Sequence, residues 1–109
     1  MINVPEFVDG KKLNVAVAQL LLENNLKISV AESLTGGEVA AKLVDIPGIS
    51  KSFIEGIVAY ANEAKMNRLG VSAETLIKYG AVSEETAKEM AEGLIKGDVT
   101  VSVSTTGIA

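Results

Sequence analysis

Ile28-Ser29-Val30-Ala31-Glu32-Ser33-Leu34-Thr35-Gly36-Gly37-Glu38 reads as a short buried strand that breaks at Ser33 and runs through two glycines into a helix. A turn of this kind leaves a hydroxyl and a carboxylate, Ser33 and Glu32, at the carboxyl edge of a sheet. The start of the helix points unpaired N–H groups at the same spot. The adjacent glycines let a phosphate or an oxyanion approach the Thr35-Gly36-Gly37 backbone closely. Thr35 and Glu38 also fit a capping box, Thr-x-x-Glu, so a helix start with no further role accounts for much of the same string.

Outward from this stretch, helices and strands alternate. Lys11 to about Asn25 reads as a helix, with Leu13, Val17, Leu20, Leu21 and Asn24 at three- and four-residue spacing, and the first strand follows at Lys27 to Ala31. Residues 1–10 read as an arm, with Asp9 placed to cap that helix. After the turn, Gly36 to about Val44 carries Val39, Ala40 and Leu43 on one helical face, ended by Pro47-Gly48. Phe53 to Tyr60 is apolar and β-branched apart from Glu55 and Gly56, the pattern of a central strand ending at Tyr60. Asn62 is placed to cap the next short helix, which has Lys65 in its first turn and Gly70 at its end. Ser72 and Ser83 read as caps of helices at about 73–79 and 84–96, closed by Gly80 and Gly97. From Asp98 to Thr105, valines alternate with Thr100, Ser102 and Ser104, a strand whose small polar face lets a helix pack closely. Three helix–strand units followed by a Thr106-Gly107 turn predict a single α/β domain over residues 1–109, with its last portion missing.

Composition narrows the chemistry. The 109 residues suffice for one core, and 48% hydrophobic with 22% charged residues is the balance of a folded globular chain. A net charge of −4 without a basic run argues against a nucleic-acid surface. Neither cysteine nor histidine occurs, which removes disulfides, thiolate nucleophiles, the Ser-His-Asp triad and the usual zinc sites. Acid–base work therefore falls to Lys, Tyr, Asp or Glu. The N-terminus lacks the pattern of a signal peptide, and Gln19 interrupts the apolar stretch Val15 to Leu22, so a cytoplasmic protein without a membrane partner is expected.

Taken together, Ala31-Glu32-Ser33-Leu34-Thr35-Gly36-Gly37, Val58-Ala59-Tyr60-Ala61-Asn62-Glu63-Ala64-Lys65, Gly80-Ala81-Val82-Ser83 and Thr106-Gly107-Ile108-Ala109 resemble the CinA C-terminal domain family, the nicotinamide mononucleotide deamidases. The similarity runs from about Leu13 to the last residue. It implies a three-layer α/β/α fold and a metal-independent amidohydrolase that converts nicotinamide mononucleotide to nicotinic acid mononucleotide and ammonia, with no cofactor. The family's catalytic serine falls on Ser33, its tyrosine on Tyr60 and its lysine on Lys65, and Thr106 matches a substrate-contacting threonine. The family continues through a Gly-Pro loop, another strand and a final helix, a basic residue from that region helps bind the substrate, and this sequence lacks that portion.

A serine hydroxyl needs a base, and without histidine that base is a lysine desolvated enough to lose its proton. Lys65 is the candidate, because the positive end of a helix and burial both disfavour its ammonium form. An ordinary first-turn lysine on the surface is the competing reading. Tyr60 is expected either to relay a proton between Ser33 and Lys65 or to fill the core at a strand end. Glu32 is expected to tether Lys65 or a ribose hydroxyl, or simply to answer the helix dipole. The Thr35-Gly36-Gly37 amides are expected to bind the nucleotide phosphate or to form an oxyanion hole. An open edge beside the last strand predicts a homo-oligomer. The rival class is a non-catalytic nucleotide-binding or assembly domain that keeps only the fold.

Overall fold

A computed structural model describes residues 6–8 and 11–108. The elements run β1 (Phe7–Val8), β2 (Lys11–Lys12), α1 (Leu13–Glu23), β3 (Ile28–Glu32), α2 (Glu38–Val44), a 3-10 turn at Ile49–Lys51, β4 (Phe53–Val58), α3 (Asn62–Leu69), α4 (Ala73–Tyr79), α5 (Glu84–Glu92) and β5 (Val101–Thr105). The role expected of Asp9 lies outside the described residues. Lys11 and Lys12, read as helical, instead pair antiparallel with Phe7–Val8. The Leu13 N–H donates to the Glu6 carbonyl at 3.0 Å, which closes this small ribbon on the first turn of α1.

β3 is the centre of a three-stranded parallel sheet in the order β4-β3-β5, and all five of its residues are buried. Parallel pairing on both sides and helices on both faces explain why it is buried along its whole length, Ser29 and Glu32 included. The crossover from β3 to β4 carries α2, whereas the crossover from β4 to β5 runs back past β3 and carries α3, α4 and α5. Because such crossovers share one hand, the two sets of helices fall on opposite faces. Two core clusters fill the resulting gaps. Ala18, Leu21, Ile28, Val30, Leu43 and Ile49 pack on the α1/α2 side, and Ala31, Ala59, Leu69, Val71, Met90 and Leu94 on the other. This is the expected α/β class, with helix layers on both sides of the sheet.

Several local expectations are corrected. Phe53 to Tyr60 does not form a central strand: β4 ends at Val58 and lies at an edge of the described sheet, with Ile54 and Val58 exposed. β-Branched content marks a strand but does not separate an edge from a centre. The last helix, expected to reach residue 96, stops at Glu92. Gly93 there sits so tightly against α3 that a Cβ would lie 2.0 Å from the Leu69 carbonyl oxygen. The small polar face of β5 does admit a close helix: the Ser102 hydroxyl donates to the Ala91 carbonyl at 2.8 Å, and the Ser104 hydroxyl to the Ala87 carbonyl at 2.6 Å. Among the described residues, no helix is long and apolar enough to cross a membrane.

The two crossovers run in opposite directions across the sheet, from β3 to β4 on one side and from β4 back past β3 to β5 on the other, so the carboxyl end of β3 beside β5 is the topological switch point. Ligands of open α/β sheets bind in the crevice at such a point. Glu32 and Ser33 lie there.

Candidate active site

Successive β3 residues face opposite layers. Val30 packs with the α1/α2 cluster and Ala31 with the α3–α5 cluster, so Glu32 continues the first face and Ser33 the second. The parallel ladder extends one step past β4, where the Ala59 N–H donates to the Glu32 carbonyl at 2.9 Å. That step brings the Tyr60 carbonyl and the start of α3 alongside Ser33.

Lys65, in the first turn of α3, is 2% exposed, and Ser33 is 6% exposed. The Lys65 Nζ donates to the Tyr60 carbonyl oxygen at 2.7 Å and lies 3.2 Å from Ser33 Oγ, within reach for proton transfer. Burial pushes the Lys65 ammonium below its ordinary value of 10.5. The neutral carbonyl orients the amine without supplying a charge that would hold its proton. This is no surface lysine.

Glu32 is 1% exposed and turns to the opposite layer. Its Oε1 accepts from the Thr35 hydroxyl and the Val39 N–H, both at 2.7 Å, and its Oε2 accepts from the Ala40 N–H at 3.0 Å. Burial works to raise its carboxyl, but the hydrogen bonds from Ala40, Thr35, Val39 and Gly37 outweigh it and hold the group below its usual 4.5. The carboxylate therefore fills the start of α2. The Thr35–Glu38 capping box does not form, since Gly37 occupies the cap at φ 109° with no side-chain cap and the Thr35 hydroxyl is turned to Glu32. Likewise Asn62 is the first residue of α3, and Ala61 precedes it in extended conformation without a side-chain cap.

The other expected residues surround this pair. The Tyr60 side chain is 70% exposed, and what it offers Lys65 is its backbone carbonyl. Gly36, at φ 62°, donates its N–H to the Ser33 carbonyl at 3.2 Å, and Gly37 approaches the Val58 side chain. The N–H groups of Leu34 and Thr35 have no protein acceptor among the described residues. The Thr106 hydroxyl donates to the Ala81 carbonyl at 2.7 Å, and a Cβ at Gly107 would lie 3.2 Å from Leu34 Cδ1. All four sequence segments thus meet at the carboxyl end of β3. One member went unread: Thr105, which accepts the Ser33 N–H on its carbonyl at 3.1 Å and shares a 2.8 Å hydroxyl contact with Thr35. Its alternation placed it on the last strand, but only the Glu32↔Thr105 register brings it here. Among the described residues, no three acidic side chains group as metal ligands.

A parallel α/β domain with a buried serine–lysine pair at its switch point is the class that fold and site define. Residues 10–109 match the model of the CinA C-terminal domain, and the chain belongs to that family. It is 57% identical over 98 residues, 89% of its length, to a putative competence-damage inducible protein of Clostridioides difficile, and 56% identical over 103 residues, 94% of its length, to a CinA-like protein of Kosmotoga olearia. It covers only 23% and 25% of those two relatives. Among solved structures, a competence-damaged protein (CinA) superfamily protein from Escherichia coli superposes with a TM-score of 0.87 at 36% identity, over 97% of this chain and 62% of that one.

Proposed function

We propose that the chain carries a serine–lysine amidohydrolase centre acting on the carboxamide of nicotinamide mononucleotide or a related pyridine nucleotide. The observation that carries this reading is the buried Lys65 Nζ, 3.2 Å from Ser33 Oγ, with burial lowering its proton affinity. Ser33 Oγ attacks the carboxamide carbon while Lys65 takes the hydroxyl proton. The tetrahedral oxyanion is received by free backbone amides, for which Leu34 and Thr35 are the available donors. As the intermediate collapses, Lys65 returns the proton to the departing ammonia. Lys65 then deprotonates water, which hydrolyses the acyl-serine to the nucleotide carboxylic acid and restores Ser33. In this scheme Tyr60 orients the amine, and Thr106, Gly36 and Gly37 border the substrate.

The test is ammonia release from nicotinamide mononucleotide, measured for this chain, for a version extended past Ala109 and for the Ser33→Ala form of each. Release that depends on Ser33 supports the reading, while no release from either length favours a non-catalytic assembly domain. The proposal takes the protein to work in the cytoplasm as a homo-oligomer. Exposed Ile54 and Val58 on β4 and Val103 on β5 support self-association. Sedimentation at micromolar concentration checks it, and a monodisperse monomer counts against it.

A further inference from the structure

We propose that Glu32, Thr35 and Thr105 form a positioning clamp that holds the Ser33 turn from the face of the sheet opposite Lys65. The inference rests on the serine–lysine reading and assigns to it three side chains that do not touch the reacting atoms. An ionised carboxylate can only accept, so the Thr35 hydroxyl must donate its single hydrogen to Glu32 Oε1. Thr35 Oγ1 is then the acceptor in its 2.8 Å contact with Thr105, which makes Thr105 the donor. With that hydrogen committed, Thr105 Oγ1 turns a lone pair to the Ser33 N–H at 3.3 Å, beside the Thr105 carbonyl that accepts the same N–H at 3.1 Å. One buried charge thus sets the direction of both hydroxyl hydrogens between α2 and the Ser33 amide.

The clamp joins three elements. Glu32 binds the first amides of α2, Thr35 ties the turn to Glu32, and Thr105 ties both to the end of β5. The Ser33 amide is committed to β5 and cannot serve an oxyanion, which leaves that task to its neighbours. Glu32→Gln keeps the shape but not the polarity. Both carboxylate oxygens accept in the present network, so a glutamine nitrogen sets at least one donor against a donor. Thr105→Val removes the hydroxyl at nearly constant volume, and Thr105→Ser restores it.

The experiment measures the rate of covalent labelling of Ser33 by a fluorophosphonate, read by intact mass, together with exchange of the Ser33 amide by NMR and ammonia release from nicotinamide mononucleotide. Glu32→Gln and Thr105→Val should each slow labelling by about tenfold or more, as misplacement of a nucleophile does, and should speed Ser33 amide exchange. Thr105→Ser should recover most of both, and kcat should fall with KM little changed. Labelling of Thr105→Val at the unmodified rate overturns the clamp, as does a Thr105→Ser form as slow as the valine form. Loss of ammonia release with labelling untouched also overturns it, by assigning these residues to substrate contact. A chain that labels at Ser33 yet releases no ammonia refutes the substrate reading alone. A chain that does not label refutes the serine–lysine reading, and the clamp then stands or falls on Ser33 amide exchange.

Discussion

The three helices α2, α4 and α5 begin with similar local sequence and are started by different physics. At α4 and α5 the helix amide is capped locally, Ser72 Oγ accepting the Thr75 N–H and Ser83 Oγ the Thr86 N–H, each at 3.1 Å, with the Glu89 carboxylate of α5 accepting the Ser72 N–H beside the first of them at 2.9 Å. At α2 the local capping signature Thr35-Gly36-Gly37-Glu38 is overridden, and Glu32 reaches forward from the preceding strand to bind the Val39 and Ala40 amides. A serine cap of the first kind makes further bonds only nearby, Ser83 Oγ donating to the Gly80 carbonyl at 2.9 Å and Ser72 Oγ meeting Thr75 Oγ1 at 2.7 Å, and makes none to Ser33 or Lys65. The α2 start satisfies a helix while pinning the turn that carries Ser33, and it does so with a buried charge that would be costly without its full set of donors. The contrast separates helix starts that serve stability from the one that serves the site.

The strongest attempt to break this contrast acts at the site. Ser33→Ala and Lys65→Ala should each lower ammonia release from nicotinamide mononucleotide by about a thousandfold or more, with circular dichroism unchanged, because both residues act in the chemical step. Lys65→Arg should fail equally, since a guanidinium keeps its proton at any working pH. Near-normal turnover in the arginine form would remove Lys65 from the role of base.

Titration sharpens the comparison next. Lys65 is held below 10.5 by burial, so activity should rise with pH as the amine loses its proton, with a midpoint under that value in the kcat/KM profile. Between the folded value and 10.5 the unfolded chain binds more protons, so stability should rise with pH across that window. Glu32 gives a slope of the same sign at the acid end. Its depressed value contributes stability above 4.5 that is lost as pH falls through the folded value, and urea midpoints of Glu32→Gln should lack that portion of the acid loss. An unaltered acid limb in the glutamine form would mean that the α2 start carries no special charge.

At α4 the expected effect is smaller and of another kind. Ser72→Ala should cost about 1 kcal/mol of stability, read as a shift in thermal midpoint, and leave ammonia release as it was. A loss of turnover there would erase the distinction between the two sorts of helix start. The smallest expected effect is that of chelation: EDTA should leave the rate unchanged, and a loss restored by added metal would contradict the serine–lysine scheme.

Much of this was legible in the residues. The strand-to-helix turn at Ser33 and the serine caps at 72 and 83 follow from patterns local to a few residues. The capping box at Thr35 was misread for a physical reason: a cap is chosen by whichever acceptor reaches the amides first, and a carboxylate three residues earlier is visible in sequence only as a neighbour of the serine. Tyr60 was read through its hydroxyl, but its carbonyl, which every residue possesses, is the group that meets Lys65.

The sequence by itself determined the order of helices and strands, the exclusion of histidine and cysteine chemistry, and the residues able to act as nucleophile and base, because periodicity, caps and residue types are properties of the chain. Tertiary structure alone decided that β3 rather than β4 is central, that Thr105 stands beside Glu32, and that Lys65 loses its solvent. Each of these depends on register and on which face of the sheet a helix covers, and those are set by contacts between residues as far apart in the chain as 33 and 105.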